Sequence, residues 1–260
     1  APIPSCHGTE PPAVGWTLRQ GRGTRNPVIR VISYNLRKHR AVGELAELAK
    51  TPDLDALCLQ EVFAAELPAE IGNLHLADAT KSNRLGLAVY YRKDRYEQVA
   101  SQSFELKKSL HDLIFSPTPE RLVGSRLVDR GTGHELVLAS FHAAPLTALN
   151  SLRRTQIKAA HELLQQLGEG APIIMVGDYN YPLFKDNLSE RVKKTGYDLS
   201  LSDRRTYTAY KFFRGHFDFV TSQGFTIEGV ETLARGSSDH IPILVTASYG
   251  EPAYKRAGQE

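Results

Sequence analysis

Apolar residues in this chain recur in short, β-branched runs that each stop at a polar side chain. Val28-Ile29-Arg30-Val31-Ile32-Ser33-Tyr34 reads as a strand, Ala56 to Gln60 as a buried strand ending at Glu61, and Leu85 to Arg92 as a third. The charged turn Lys93-Asp94-Arg95 closes that third run. Gly124 to Asp129 and Glu135 to His142 flank Arg130-Gly131-Thr132-Gly133 as a hairpin, and Ile173 to Val176, Phe217 to Thr221 and Ile241 to Ala247 complete the strands. Helical spacing occurs twice. Val42 to Ala49 is a short stretch stopped by Pro52, and Leu149 to Leu167 places Leu152, Ile157, Ala160, Leu163 and Leu164 on one face before Gly168 and Gly170 end it. Residues 181–210 are polar and turn-rich, and no element is assigned there. Many strands, few helices and no fixed-period repeat predict an α/β sandwich rather than a doubly wound sheet.

Six of these runs end in an acid, amide or imidazole: Asn35, Glu61, His142, Asp178 with Asn180, Asp218, and Asp239 with His240. Any one alone reads as a cap or an ion-pair partner. Six at the same topological position point to one site, because uncompensated charge at a buried strand end is costly unless a cation or phosphate accompanies it. Glu61, Asp239 and the Asn35 amide offer hard oxygen donors, which suit Mg²⁺, Mn²⁺ or Ca²⁺. A carboxylate such as Asp178 can orient or deprotonate water, and an imidazole beside an acid can donate to a phosphoryl or leaving oxygen. The chemistry expected is metal-assisted attack of water on a phosphodiester.

Composition adds bounds. At 260 residues with a net charge of +3, the chain is the size of one domain, and no polybasic block announces nucleic acid. The expected organisation is an extended lead-in over 1–26, a single catalytic domain over 27–248 and a tail over 249–260. No apolar run approaches the length of a membrane span. Cys58 reads as a buried free thiol, with a Cys6–Cys58 disulfide as the alternative for an exported chain. The Pro/Gly-rich opening from Ala1 suggests processing, hence a secreted or extracytoplasmic protein. It is expected to act as a monomer, and the sequence names no delivery partner.

The ordered set Asn35, Gln60-Glu61, His142, Gly177-Asp178-Tyr179-Asn180, Asp218 and Ser238-Asp239-His240 resembles the endonuclease/exonuclease/phosphatase superfamily over Val28 to Val245. That resemblance implies a four-layered α/β sandwich, two packed mixed β-sheets flanked by helices, that hydrolyses a phosphoester with water. It implies a divalent metal held chiefly by Glu61, with Asp239 completing the shell. It implies Asp218 orienting His240 on the scissile phosphate, Asp178 positioning the water, and Asn180 and Asn35 binding phosphate or metal. Phe141-His142-Ala143-Ala144-Pro145 and Asn35-Leu36-Arg37 resemble segments of the deoxyribonuclease I branch, which includes the nuclease subunit of cytolethal distending toxins. On that likeness His142 is the second catalytic histidine, and Arg37 and Arg121 contact backbone phosphate. Two departures stand out: Phe63 replaces an expected DNA-contacting arginine, and no acid lies between Lys81 and Tyr91 to orient His142.

The substrate expected is DNA, or nucleic acid generally. The alternatives are a phosphoinositide or a phospholipid such as sphingomyelin on the same fold, and a non-catalytic binding module, against which the complete set of core residues argues. Arg37-Lys38-His39-Arg40, with Arg204, Arg205 and Lys211 opposite, forms candidate phosphate contacts at the mouth. Tyr207, Tyr210, Phe212 and Phe213 read as packing or as a base-stacking cluster. His7, His75, His111, His134 and His161 show no partner spacing and are assigned no role.

Overall fold

In a computed structural model of the protein, residues 27–108, 119–181, 185–208 and 215–250 are described. Their strands form two sheets. The seven-stranded sheet runs, in spatial order, Phe225–Thr232 (β12), Ile243–Tyr249 (β13), Val28–Asn35 (β1), Ala56–Val62 (β2), Gly86–Arg92 (β5), Leu74–Ala79 (β4) and Glu70–Ile71 (β3). The six-stranded sheet runs Asp198–Leu201 (β10), Asp218–Gln223 (β11), Ile173–Asp178 (β9), Glu135–His142 (β8), Glu120–Asp129 (β7) and Tyr96–Glu105 (β6). Parallel pairing joins β1 to β2 and β8 to β9, whereas the pairs flanking them are antiparallel, so both sheets are mixed.

Period-two alternation builds the layers. In β1, Ile29 and Val31 point into the space between the sheets while Ile32 and Tyr34 point outward. Cys58 and Val89 meet Leu138, Ile174 and Val176 in that inter-sheet core. The outer face of the larger sheet is covered by a 3₁₀ turn at Val42–Glu44 and one helical turn, Leu45–Leu48 (α1). The outer face of the smaller sheet is covered by Asn150–Gly168 (α2) and Lys185–Lys193 (α3), through Ile157, Ala160, Leu164, Leu188 and Val192. Helix, sheet, sheet, helix: the sandwich has four layers, as the motifs imply.

Several expectations change. The helix expected over Val42 to Ala49 shrinks to a 3₁₀ turn plus α1, because so short a segment before Pro52 cannot sustain more turns. Strands β6 and β12 are sheet edges whose polar outward faces hide them from a search for apolar runs, and a register shift between Ile227 and Gly229 further breaks the alternation of β12. The turn-rich stretch after residue 181 contains α3 and β10. Strand β13 starts at Ile243 rather than Ile241, since Pro242 has no N–H to give a ladder, and it runs through Tyr249. Cys58 is a free thiol buried in the inter-sheet core, whereas Cys6 lies outside the described residues.

The end of the sandwich opposite the polar strand ends is held by ion pairs. Asp55, just before β2, is 1% exposed and accepts from Arg95 Nη1 at 2.9 Å and Arg92 Nη2 at 3.1 Å; Arg95 Nε also reaches Asp129 at 3.0 Å. Removing the shared carboxylate leaves Arg92 to the exposed Asp94, 3.4 Å from its Nε, leaves Arg95 to Asp129, and takes away the acceptor of the Arg30 N–H at 2.9 Å. Asp55→Ala is therefore expected to destabilise the fold by roughly 3 kcal/mol, read from the urea midpoint.

His161, which lacks any signature in the sequence, is a structural group of α2. Its Nδ1 lies 3.0 Å from Thr195 Oγ1, which donates its own proton to Val192 O at 2.7 Å, so Nδ1 carries the hydrogen. Its Nε2 then accepts from Thr221 Oγ1 at 2.9 Å. Tyr197 stacks on the ring at 3.7 Å. Burial pushes the imidazole down from 6.5 to about 3. Below pH 6.5 the unfolded chain takes up a proton that the native ring refuses, so stability falls as pH drops, up to about 1.4 kcal/mol per unit until about pH 3. Urea unfolding at pH 7 and pH 5 should differ by about 2 kcal/mol from this group, and His161→Gln should remove most of that difference.

Candidate active site

Strand register gathers the six polar ends onto one rim. Parallel pairing puts Asn35 beside Gln60, and His142 beside Asp178. Antiparallel pairing puts Asp178 opposite Asp218. Ile243 pairs with Ser33, so the preceding Asp239 and His240 fall next to Asn35. The larger sheet thus brings Asn35, Glu61, Asp239 and His240, and the smaller brings His142, Asp178 and Asp218. A cleft of about 540 Å³ lies over the seam, lined by Glu61, His142, Asp178, Asn180, Asp239 and His240 among others.

Beneath the cleft a polar bolt crosses the seam. Gln60 Nε2 donates to Ser33 Oγ at 3.3 Å and to Ser140 Oγ at 3.0 Å, and Ser140 Oγ donates back to Leu59 O at 2.8 Å. Next to it, β2 breaks register between Gln60 and Val62, leaving Glu61 as a bulged residue at φ 55°. Such a bulge re-aims a side chain that would otherwise follow the pleat. Lys38 N–H donates to Glu61 Oε2 at 2.8 Å and His39 N–H to Glu61 O at 2.8 Å. To make these bonds Arg37, Lys38 and His39 all take left-handed backbone, at φ 48°, 55° and 66°. Three non-glycine residues in that region cost on the order of 1 kcal/mol each, offset here by the amides wrapped around Glu61. The turn carries Arg37 Nε to 3.6 Å from Asp239 Oδ2 and places Lys38 and Arg40 at the cleft mouth.

The second donor loop is fixed as tightly. Ser238 Oγ donates to Asn35 O at 2.7 Å and accepts His240 N–H at 3.1 Å. Glu44 Oε1 accepts Ser237 N–H at 2.7 Å and the Ser237 hydroxyl at 2.6 Å, while Oε2 accepts the Tyr34 hydroxyl at 2.7 Å. Neither Ser238 nor Glu44 was legible as a positioning group. The serine two residues before His240 is the turn-forming signal that could have found the first; the second is distant in sequence.

His240 lies between two carboxylates. Its Nδ1 is 2.8 Å from Asp218 Oδ2 and its Nε2 is 3.6 Å from Asp178 Oδ2. Burial opposes the charge, but Asp218 and Asp178 outweigh it and hold the imidazolium up at about 10. His142 behaves oppositely. Burial pushes it down to about 4 against the pull of Asp178, whose Oδ2 lies 3.5 Å from Nε2. One neutral and one protonated imidazole therefore face the same acid. Burial raises Asp178 above the ordinary carboxylate range. Its Oδ2 accepts from Asn35 Nδ2 at 3.1 Å and its Oδ1 from Asn180 N–H at 2.9 Å. Asn180 holds φ 48°, a left-handed conformation that asparagine tolerates.

The acid missing from between Lys81 and Tyr91 is not replaced from that segment; Asp178 is the carboxylate that meets His142. Arg121 is 4% exposed and lines the cleft from below, with Nη1 donating to His142 O at 3.1 Å and Ala143 O at 2.9 Å. It braces the loop after β8. Phe63 stacks on His39 at 5.0 Å. Tyr207 of the expected aromatic cluster faces His240, ring to ring at 4.9 Å; Tyr210, Phe212, Phe213 and Lys211 lie outside the described residues.

Two donor sets could hold a cation. Asp178, Asp218 and His240 have ligand atoms within 4.8 Å of one another, but these atoms already face each other across a protonated ring. A metal there must displace that proton. Glu61 and Asp239 line the cleft with hard carboxylate oxygens, which fits a hard divalent cation, while Asn35 turns its Nδ2 to Glu61 Oε1 at 3.5 Å and its Oδ1 accepts the Arg37 N–H at 3.0 Å. Among the described residues no helix is long and apolar enough to cross a membrane.

Comparison with known proteins agrees with this geometry. Protein angel of Drosophila melanogaster is 25% identical over 160 residues, 57% of this chain and 44% of that protein; the chain thus spans less than half the length of that relative. The mannosyl-6-phosphatase of Bacteroides thetaiotaomicron superposes with a TM-score of 0.67 at 19% identity, covering 85% of this chain and all of that one. TDP2 of D. rerio in complex with a single-stranded DNA product superposes with a TM-score of 0.66 at 17% identity, covering 86% and 100%. At such identities these likenesses establish the fold. The model of the Endonuclease/Exonuclease/phosphatase family matches residues 32–240, the interval from β1 to the last histidine of the rim. The chain belongs to the endonuclease/exonuclease/phosphatase family, whose members are phosphoester hydrolases and are generally divalent-metal dependent.

Proposed function

We propose that the chain is a divalent-metal-dependent phosphodiester hydrolase that cuts DNA internally, in the manner of deoxyribonuclease I. The observation that carries this reading is geometric: His142 Nε2 and His240 Nε2 lie 3.5 Å and 3.6 Å from the same oxygen of Asp178, in an open cleft with Arg37, Lys38 and Arg40 at its mouth. A protonated His240 donates to a non-bridging oxygen of the scissile phosphate, with Asp218 fixing its ring. A neutral His142 supplies a second donor on the same phosphate. Asp178 orients the attacking water and draws its proton, with Asn35 and Asn180 fixing the carboxylate. Arg37 and Arg121 balance the phosphate charge. A cation held by Glu61, Asp239 and the Asn35 amide would polarise a phosphoryl oxygen and offset the negative charge that develops there. The DNA-bound fold of TDP2 supports a nucleic-acid substrate for this architecture.

Mg²⁺ is the ion proposed, with Mn²⁺ the close substitute and Ca²⁺ a further hard cation the donors accept. Glu61→Gln is expected to weaken Mn²⁺ binding at least about tenfold by calorimetry, because an amide replaces the carboxylate that leads the donor set. Unchanged Mn²⁺ heat would move the cation elsewhere. The function itself is tested by nicking of supercoiled plasmid with Mg²⁺ and with chelator, beside phosphoinositide and sphingomyelin hydrolysis. Turnover confined to either lipid would replace DNA as the substrate.

A further inference from the structure

Next to the catalytic cleft lies a second concavity of about 450 Å³, lined by Arg204, Arg205, Tyr207, Thr208 and Arg235. Three exposed guanidiniums share it, and among the described residues no acidic side chain lines it. Arg204 Nε stands 3.7 Å from its neighbour Asp203, which is itself exposed; Arg205 and Arg235 form no ion pair among the described residues. Arg205 and Arg235, without an ion pair among the described residues, and Arg204, paired with an exposed neighbour, converge as like charges on one hollow, so the arrangement gains when an anion enters. The two hollows meet at Tyr207, which belongs to both linings.

The arginines are tied to the chemistry through backbone. Tyr207 and His240 form an isolated antiparallel bridge. On either side of it Ile241 N–H donates to Thr206 O at 2.8 Å and Thr208 N–H to Asp239 O at 3.0 Å. Thr206 Oγ1 accepts the N–H groups of Phe217 and Asp218 at 3.1 Å each, anchoring the same segment to the strand that orients His240. Arg235 stands between two further ties, Leu233 N–H to Pro242 O at 2.9 Å and Ser237 N–H to Glu44 Oε1 at 2.7 Å. Arg205 precedes Tyr207 by two residues, no more than about 7 Å of chain. A basic segment tied by backbone to His240 suits a charge that neighbours the scissile group on the same molecule.

We propose that Arg204, Arg205 and Arg235 form a second phosphate subsite, which holds the backbone of a nucleic-acid strand beside the phosphodiester being cut. The inference rests on the hydrolase reading above and specifies its substrate as a strand carrying several consecutive phosphates. On the far side of the cleft Lys38 and Arg40 then receive the strand, so that it crosses the rim from one basic cluster to the other. The side chains read phosphate and not base, and sequence preference is expected to be weak.

The test is binding of a fluorescent ten-nucleotide DNA strand to the full chain carrying His240→Ala, so that cutting is slow compared with the measurement. Adding Arg204→Ala, Arg205→Ala and Arg235→Ala together should raise Kd at least tenfold. It should also flatten the slope of log Kd against log salt by about 2, since each phosphate neutralised contributes about 0.7 for a single strand. Lys93→Ala with Arg130→Ala, at the opposite end of the sandwich, should change neither quantity. The three substitutions are on exposed side chains, and circular dichroism checks that the fold is unaltered. An unchanged Kd and slope, no strand binding by the parent, or a loss seen only with phosphoinositide vesicles would each overturn the proposal. A parent chain that fails to nick plasmid but keeps arginine-dependent strand binding would sink the hydrolase reading and leave the subsite standing.

Discussion

His240→Ala is expected to lower kcat on plasmid DNA about 10³-fold, a loss of about 4 kcal/mol of transition-state stabilisation. Every feature around this ring works to keep it charged and aimed. Asp218 holds one nitrogen at 2.8 Å, Asp178 lies 3.6 Å from the other, and Tyr207 lies against its face at 4.9 Å. Truncation removes the cation that these carboxylates share, but Asp178, already raised by burial, can take up a proton and stay buried as a neutral acid. The fold therefore survives, and near-ultraviolet circular dichroism should match the parent. KM for DNA should change much less than kcat, since basic side chains at the rim and not His240 hold most of the strand. A variant that turns over at the parental rate would take His240 out of the reaction.

Gly177→Ala is the substitution expected to damage fold and activity together. Gly177 holds φ 151°, and a Cβ built there would lie 1.9 Å from Phe141 O in the paired strand. That neighbour is backbone and has no rotamer by which to escape, so β8 and β9 must separate. We expect a loss of more than about 3 kcal/mol in the urea midpoint. The residues that follow in each strand are His142 and Asp178, and separating the strands separates their side chains. Activity per folded molecule should accordingly fall at least tenfold, measured below the midpoint, where the variant is still native. Full specific activity in the folded fraction would mean that the approach of these two strands is not what positions the pair.

The sequence carried the rim well and its supports poorly. Asn35, Glu61, His142, Asp178, Asp218 and His240 were legible because each interrupts an apolar run, and strand register then brings such interruptions together. Edge strands β6 and β12 were not, since one face of each meets water and their apolar content is diluted. The helix at 42–49 was overstated because spacing alone says nothing of the length needed to propagate one. Glu44 was invisible for another reason: its partner Ser237 lies 193 residues away, and no local pattern encodes that meeting. Arg121, expected at the phosphate from its place in the chain, lines the cleft while its Nη1 also donates to two backbone carbonyls, a brace that no local pattern encodes.

Half of the reactive groups ride on each β layer, and directly below them Gln60 of one layer latches to Ser140 of the other, whose hydroxyl donates back to Leu59 O. Turnover is thus a gauge of how the layers are aligned. A conservative swap at Val89 or Ile174, deep in the interior and touching no substrate, would slide one layer over the other by a fraction of an ångström. That offset would be felt as slower chemistry beside the roughly 1 kcal/mol such a swap costs the fold, so tolerance to interior change is set here by alignment as well as by cohesion.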